Sequence, residues 1–234
     1  MLNGRMSANH KQNNKTLHQN IYILCFANSS DLARLMQNSE SVLKSIEKIL
    51  EFIIEVEKLK DVHRKTRPVG LDRYENSAEH SWHVCLSALM LKDYSNETID
   101  IDRIIKMLLI HDLGEIDAGD TIIYASETKE LKDKEEAGIK RVLYLLPEET
   151  ALEYLSLWQE LEKGETADSR YAKAIDRVPP LLHNLNGGGH SWKENNVSKE
   201  KVLNLNSRIA KGSEPLWELL EDKLNKEVEA GILK

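Results

Sequence analysis

His80 lies in the segment Glu79-His80-Ser81-Trp82-His83, His111 and Asp112 are adjacent, and Asp176 lies in Lys173-Ala174-Ile175-Asp176-Arg177. His111 and Asp112 follow directly on Met107-Leu108-Leu109-Ile110, so a densely apolar helix would deliver two ionisable groups from the middle of a core. Such groups are expensive to bury unless they are paired or metal-bound. An isolated His-Asp pair is more often a satisfied helix end. Here a histidine upstream and an aspartate downstream complete a set of two imidazoles and two carboxylates, in the order H…HD…D. That mixed nitrogen and oxygen set suits one first-row divalent ion with positions left open for water.

To meet, these side chains must be carried by separate elements. Val42, Leu43, Ile46, Ile49, Leu50, Ile53, Val56 and Leu59 recur at helical spacing, which predicts an amphipathic helix from Ser39. The arginine-rich stretch from Asp61 to Glu75, broken by Pro68 and Gly70, predicts a long loop. Asn76, with Glu79 three residues on, predicts a capping box that opens a helix running to about Asp93 and carrying His80. The next helix starts near Asp100 or Asp102 and ends on His111 and Asp112. Further helices are expected over Lys129 to Leu146, over Pro147 to Glu162, and from Ala167 after a Thr166 cap. Pro179 and Pro180 should end or kink the one that carries Asp176. After the turn at Gly187, Gly188 and Gly189, two helices near Ser198 to Lys211 and Glu214 to Ala230 close the chain. Neither an internal repeat nor a period-two alternation occurs, so the expected fold class is an all-α helical bundle over residues 39–234. Residues 1–38, rich in Asn, Gln, Ser and Lys without helical periodicity, are expected to form a poorly ordered N-terminal extension.

The segments ENSAEHSWH, LLIHDLGEIDAGD and AKAIDR resemble, in order, the successive motifs of the HD-domain metal-dependent phosphohydrolases, and within them the branch of the 5′-deoxynucleotidases. The resemblance covers roughly residues 42 to 211. It implies that His80, His111, Asp112 and Asp176 hold the metal, that Glu115 orients or deprotonates the attacking water, and that Asp120 contacts substrate. The implied reaction is removal of phosphate from a nucleoside 5′-monophosphate, in the first instance a deoxynucleotide. Spacing agrees for Glu115, which follows His111 by four residues and would share its face if the helix continued. In the arginine-rich loop, Arg64 matches an arginine that the resemblance puts at the substrate, unless the register slips by one to Lys65. The tryptophan that follows that arginine in the deoxynucleotidases has no counterpart here. Two-metal HD proteins have additional histidines between the positions of Asp112 and Asp176, and this chain has none there, so the resemblance implies one divalent ion, whether Mn, Co, Zn, Fe, Ni or Mg.

Nearby candidates carry blander readings. His83, one turn after His80, offers a fifth ligand but is expected beside the set rather than in it; Trp82 is expected in the core rather than stacked on substrate; His183 and His190, either of them a candidate to line the cleft, are expected at the surface or in the core. A net charge of −7 argues against a protein that coats nucleic acid, since such a protein needs a basic stripe. A small phosphate ester needs only a local positive site, which an ion and an arginine supply. Cys25 and Cys85 lie far apart and form no CxxC pair, and the apolar run Ile21 to Ala27 is too short for a membrane span and makes a poor signal peptide. A cytoplasmic protein is expected, with no membrane and no nucleic-acid polymer as partner; a homodimer is suggested by the resemblance alone. The rival readings are an HD-fold hydrolase of another phosphate ester and a catalytically inactive helical interaction protein. A scaffold has no physical need for so many buried ionisable groups.

Overall fold

The computed structural model describes residues 29–124 and 128–234, with side chains from residue 37 onward. Two compact units divide the chain between Lys48 and Ile49. Helix α1, Ser29–Val56, supplies the described part of the first unit and the start of the second. It begins well before Ser39, so residues 29–38, expected in the extension, are helical. Leu32, Ala33, Arg34, Leu35 and Met36 are strong helix formers, which explains the early start even without a regular apolar stripe. The rest of the expected extension, with Cys25 and the apolar run from Ile21, lies outside the described residues.

The amphipathic helix expected from the apolar spacing is present in α1, and much of its apolar stripe is exposed. Val42, Leu43, Ile46, Ile49, Leu50 and Ile53 are exposed. The stripe that packs on the core of the second unit is Phe52, Val56 and Leu59, the last within a 3₁₀ turn, Glu57–Asp61. No described helix is long and apolar enough to cross a membrane.

The helices that follow are α2 (Ser77–Leu91), α3 (Ile101–Ile110), α4 (Glu115–Ala118), α5 (Lys129–Leu143), α6 (Glu148–Lys163), α7 (Ala167–Asp176), α8 (Val178–Asn186), α9 (His190–Glu194), α10 (Lys199–Asn206) and α11 (Glu214–Glu229). Among the described residues there is no strand, only an isolated bridge between His63 and Asn76, so the all-α expectation holds. Polar residues set the starts. Asn76 accepts from Glu79 N at 3.0 Å while the Glu79 carboxylate accepts from Asn76 N, which is the expected capping box. Asp100 caps α3, and Thr166 caps α7. Pro179 and Pro180 sit in the first turn of α8, where a missing N–H costs nothing, and the chain bends between Asp176 and Val178 as expected.

α3 runs through the middle of the second unit, with Ile104, Met107 and Leu108 fully buried. It packs against α2, α6 and α7. The Tyr171 hydroxyl of α7 donates to Ala88 O of α2 at 3.0 Å and fixes the helices on either side of α3 to each other. The arginine-rich loop is ordered by pairing with itself: Arg64 N donates to Glu75 O, Glu75 N to Thr66 O and Ser77 N to Val62 O, each at 2.9 Å. Those bonds set Arg64 beside Glu75 at the entry to α2.

Candidate metal centre

Three helix ends and one loop converge. His80, one turn into α2, is completely buried; His111 and Asp112 continue from α3; Asp176 is the last residue of α7. His80 Nε2 is 2.9 Å from Asp176 Oδ1. His111 Nε2 lies 3.1 Å from Asp112 Oδ1 and 3.4 Å from Asp176 Oδ1. One donor atom from each of His80, His111 and Asp112 lies within 4.8 Å of the other two, and Asp176 Oδ1 touches both histidines. All four residues expected to hold the ion are therefore in one place.

The chemistry of this set fits a divalent cation. His111 Nδ1 is 2.7 Å from Leu108 O, which can only accept, so Nδ1 carries a proton and the neutral ring has its lone pair on Nε2. Nε2 is buried and makes no hydrogen bond, although two carboxylate oxygens stand near it. A lone pair facing carboxylates is unfavourable by itself, and a cation among them reconciles the arrangement. Without an ion, protons take its part. Burial pulls the His111 pKa down, but Asp112 and Asp176 push it up to about 9. Burial would raise the Asp176 carboxyl, yet His111 and His80 hold it well below the usual carboxylate range.

Arg64 is buried amid acids. Its Nη1 donates to Asp112 Oδ2 at 2.8 Å and lies 3.7 Å from Asp120 Oδ1 and 3.9 Å from Glu115 Oε1. Burial opposes its charge, but Asp112, Asp120, Glu115 and Asp176 raise its pKa above the ordinary arginine value. Lys65 is exposed, so the loop brings Arg64 and not its neighbour to these acids.

Glu115 arrives differently from the expectation. α3 ends at Ile110, and tight turns (Leu113 N to Ile110 O at 3.1 Å, Glu115 N to Asp112 O at 2.9 Å) lead to the short α4, which Glu115 opens. The bend is held by backbone contact with α5. A Cβ on Gly114 would stand 2.6 Å from Glu135 O, and one on Gly138 would stand 2.7 Å from Gly114 O. Glu115 Oε2 accepts from Ser77 Oγ at 2.6 Å. Burial, then the nearby charge of Asp112, push the Glu115 carboxyl up to about 9. Asp120 follows Gly119, whose φ of 77° needs a residue without a side chain; burial raises the Asp120 pKa, and its Oδ2 has no hydrogen-bond partner.

Sequence reasoning missed Ser77 and Glu75, and of the readings it gave His183 the structure bears out a buried one. Ser77 is hidden inside the capping segment as an ordinary first-turn residue. Glu75 Oε2 faces His80 Nδ1 and Arg64 Nε, each at 3.6 Å. His183 is buried on α8, 3.9 Å from Glu75 Oε1, and burial lowers its pKa. Trp82 is 65% exposed, not in the core, because it lies about 200° around α2 from the buried His80. His83 stands apart from the His80 and His111 pair, and His190 is half-buried on α9. A cleft of about 240 Å³ opens on His111, Asp112, Glu115 and Asp176, with Trp158 and Lys173 on its wall.

A helical bundle gathers two histidines and two aspartates at its helix ends, with a buried arginine and a second pair of acids beside them, and so presents a mixed nitrogen and oxygen donor set of the kind a divalent ion takes, within an all-α architecture. The chain belongs to the HD domain family, whose model matches residues 56–217. It is 29% identical over 136 residues to the human 5′-deoxynucleotidase HDDC2, covering 57% of this chain and 65% of that protein. Over 119 residues it is 33% identical to the 5′-deoxynucleotidase HDDC2 of Dictyostelium discoideum, covering 48% and 63%. The chain thus spans just under two thirds of the length of these relatives. Among solved structures, a predicted metal-dependent phosphohydrolase from Magnetospirillum magnetotacticum superposes with a TM-score of 0.77 at 41% identity, covering 81% of this chain and 98% of that one.

Proposed function

We propose that this chain is a metal-dependent phosphomonoesterase that releases phosphate from nucleoside 5′-monophosphates, deoxynucleotides in the first place. The observation that carries the reading is the hydrogen-bond-free, buried Nε2 of His111 amid two carboxylates, with Glu115 and Arg64 next to it. The relatives named 5′-deoxynucleotidases support the substrate class. His80, His111, Asp112 and Asp176 would hold one divalent ion. When bound, that ion supplies positive charge at the phosphate and makes nearby water more acidic.

The remaining steps belong to the chain's own side chains. Glu115 aligns the attacking water and takes its proton, with Ser77 holding the carboxyl in place through Oε2. Burial raises the Glu115 carboxyl in the metal-free chain, and a cation held beside it would favour the ionised form, the one that can take a proton. Arg64 supplies the local positive charge that a phosphate needs in a chain of net charge −7, and Asp120 positions the substrate. The cleft of about 240 Å³ suits a small phosphate ester. A homodimer and a cytoplasmic setting complete the proposal. The exposed Ile49, Leu50, Ile53 and Ile54 row supports the first, which light scattering tests, and the free buried thiol of Cys85 fits the second.

Phosphate release from a panel of deoxy- and ribonucleoside 5′-monophosphates tests the reading. Hydrolysis of the deoxynucleotides is expected; no release from any of them, with release from another phosphate ester, would favour the rival HD-fold hydrolase.

A further inference from the structure

The absence of histidine between Asp112 and Asp176 bears on the central site only, and His83 and His183 lie outside that interval. Glu75 stands between the two regions. Its Oε2 faces inward, to Arg64 Nε and His80 Nδ1 at 3.6 Å, and accepts a long bond from Thr66 Oγ1 at 3.5 Å. Its Oε1 faces outward, to His183 Nε2 at 3.9 Å. Beyond His183 is His83, with ring centroids 5.8 Å apart and planes tilted by 37°. One donor atom from each of Glu75, His83 and His183 lies within 4.8 Å of the other two.

Hydrogen bonding does not account for this grouping. A separation of 3.9 Å is too long for a bond between His183 and Glu75, and the two rings meet at 5.8 Å with no hydrogen bond joining them. Ligands about 2.0–2.2 Å from one tetrahedral ion stand roughly 3.3–3.6 Å apart, so a closure of some tenths of an ångström turns the observed contact into a ligand pair. The Thr66 hydroxyl, 3.5 Å from His183 Nδ1, can take that nitrogen's proton as a weak bond and leave Nε2 with the lone pair on the Glu75 side. All three ligands sit on fixed backbone: Glu75 in the paired loop, His83 on α2 and His183 on α8.

We propose that Glu75, His83 and His183 form a second divalent-cation site, distinct from the central one, for a borderline ion such as Zn²⁺ or Co²⁺, with the remaining position taken by water. The site uses none of the four central donors and does not depend on the proposed reaction. Its ion would tie α8 to α2, and Glu75 would link the two sites by facing His80 through Oε2 and the ion through Oε1.

The test titrates chelator-stripped full-length protein with Co²⁺, following visible absorption and bound cobalt per chain. His83→Ala and His183→Gln should each bind one equivalent fewer than the wild type, and both should lose the intense tetrahedral bands of that equivalent. Asp112→Ala should lose a different equivalent and keep those bands. Unchanged stoichiometry in both histidine variants overturns the proposal, whatever the state of the central site. Should either variant fail to fold by circular dichroism, zinc-soaked crystals of the wild type decide. Anomalous density between His83 and His183 is expected, and density confined to the His80 and His111 side overturns the proposal.

Discussion

Glu115→Gln keeps the shape of the side chain and its bond from Ser77, but removes the group that would accept a proton. The variant should retain its central ion and bind nucleotide, yet lose on the order of a hundredfold in turnover. Turnover within severalfold of wild type would remove Glu115 from the mechanism, and loss of metal together with turnover would make it a ligand. A second prediction concerns pH. In the metal-free chain His111 and Glu115 keep their protons up to about pH 9, against ordinary values of 6.5 and 4.5. The folded chain then binds more protons than the unfolded one between those limits, so the stabilisation these groups contribute is present at low pH and lost as pH rises to about 9. His183, whose pKa is lowered, changes charge below 6.5 and plays no part between pH 7 and 9. The melting temperature of chelated protein should fall from pH 7 to 9; a flat or rising curve contradicts the assignment. Metal affinity should climb over the same range, because the ion displaces the His111 proton. At this scale the four central residues were legible because each follows or opens a recognisable helix. Ser77 and Glu75 were not, nor was the approach of His183 to Glu75, because these contacts arise from loop pairing and from the break between α7 and α8, which spacing does not encode.

Among the elements, the caps were the most readable and the breaks the least. Asn76, Asp100 and Thr166 announce helix starts by side-chain chemistry alone. The end of α3 carries no such mark, since the residues from Ile110 to Glu115 keep a helical rhythm while tight turns redirect the backbone. What forces the redirection is the backbone contact of Gly114 and Gly138. Gly138→Ala, which puts a methyl 2.7 Å from Gly114 O with only backbone to yield, should cost about 1–3 kcal/mol. It should also lower turnover by moving Glu115; thermal melts and rates on one preparation check both effects, and a stable, fully active variant would show that α4 and α5 can part freely. Asn76→Ala should cost about 1 kcal/mol by loss of the cap. In α1 the apolar stripe predicts an amphipathic helix, which is found, but such a stripe does not say what covers it.

At the scale of the whole chain, the family match begins at residue 56 and every residue of the proposed sites lies between Glu75 and His183 or at Arg64, all in the unit that starts at Ile49. Removing residues 1–28 should therefore leave turnover unchanged; a large loss of activity would place part of the machinery there. Charge makes the metal central to everything else. Asp112, Glu115, Asp120 and Asp176 surround a single buried arginine, and in the metal-free chain protons on His111 and Glu115 offset part of that charge; a bound cation would replace them with the fixed positive charge that the proposed phosphate needs. The most direct test is to strip the full-length protein with chelator, return Mn²⁺ in steps, and measure bound ion and phosphate release from a deoxynucleoside 5′-monophosphate on the same samples. The stripped protein should be inactive, turnover should return as the central site fills, and Asp112→Ala should recover neither ion nor activity there. Undiminished turnover in the stripped protein, or full recovery in Asp112→Ala, would contradict the account.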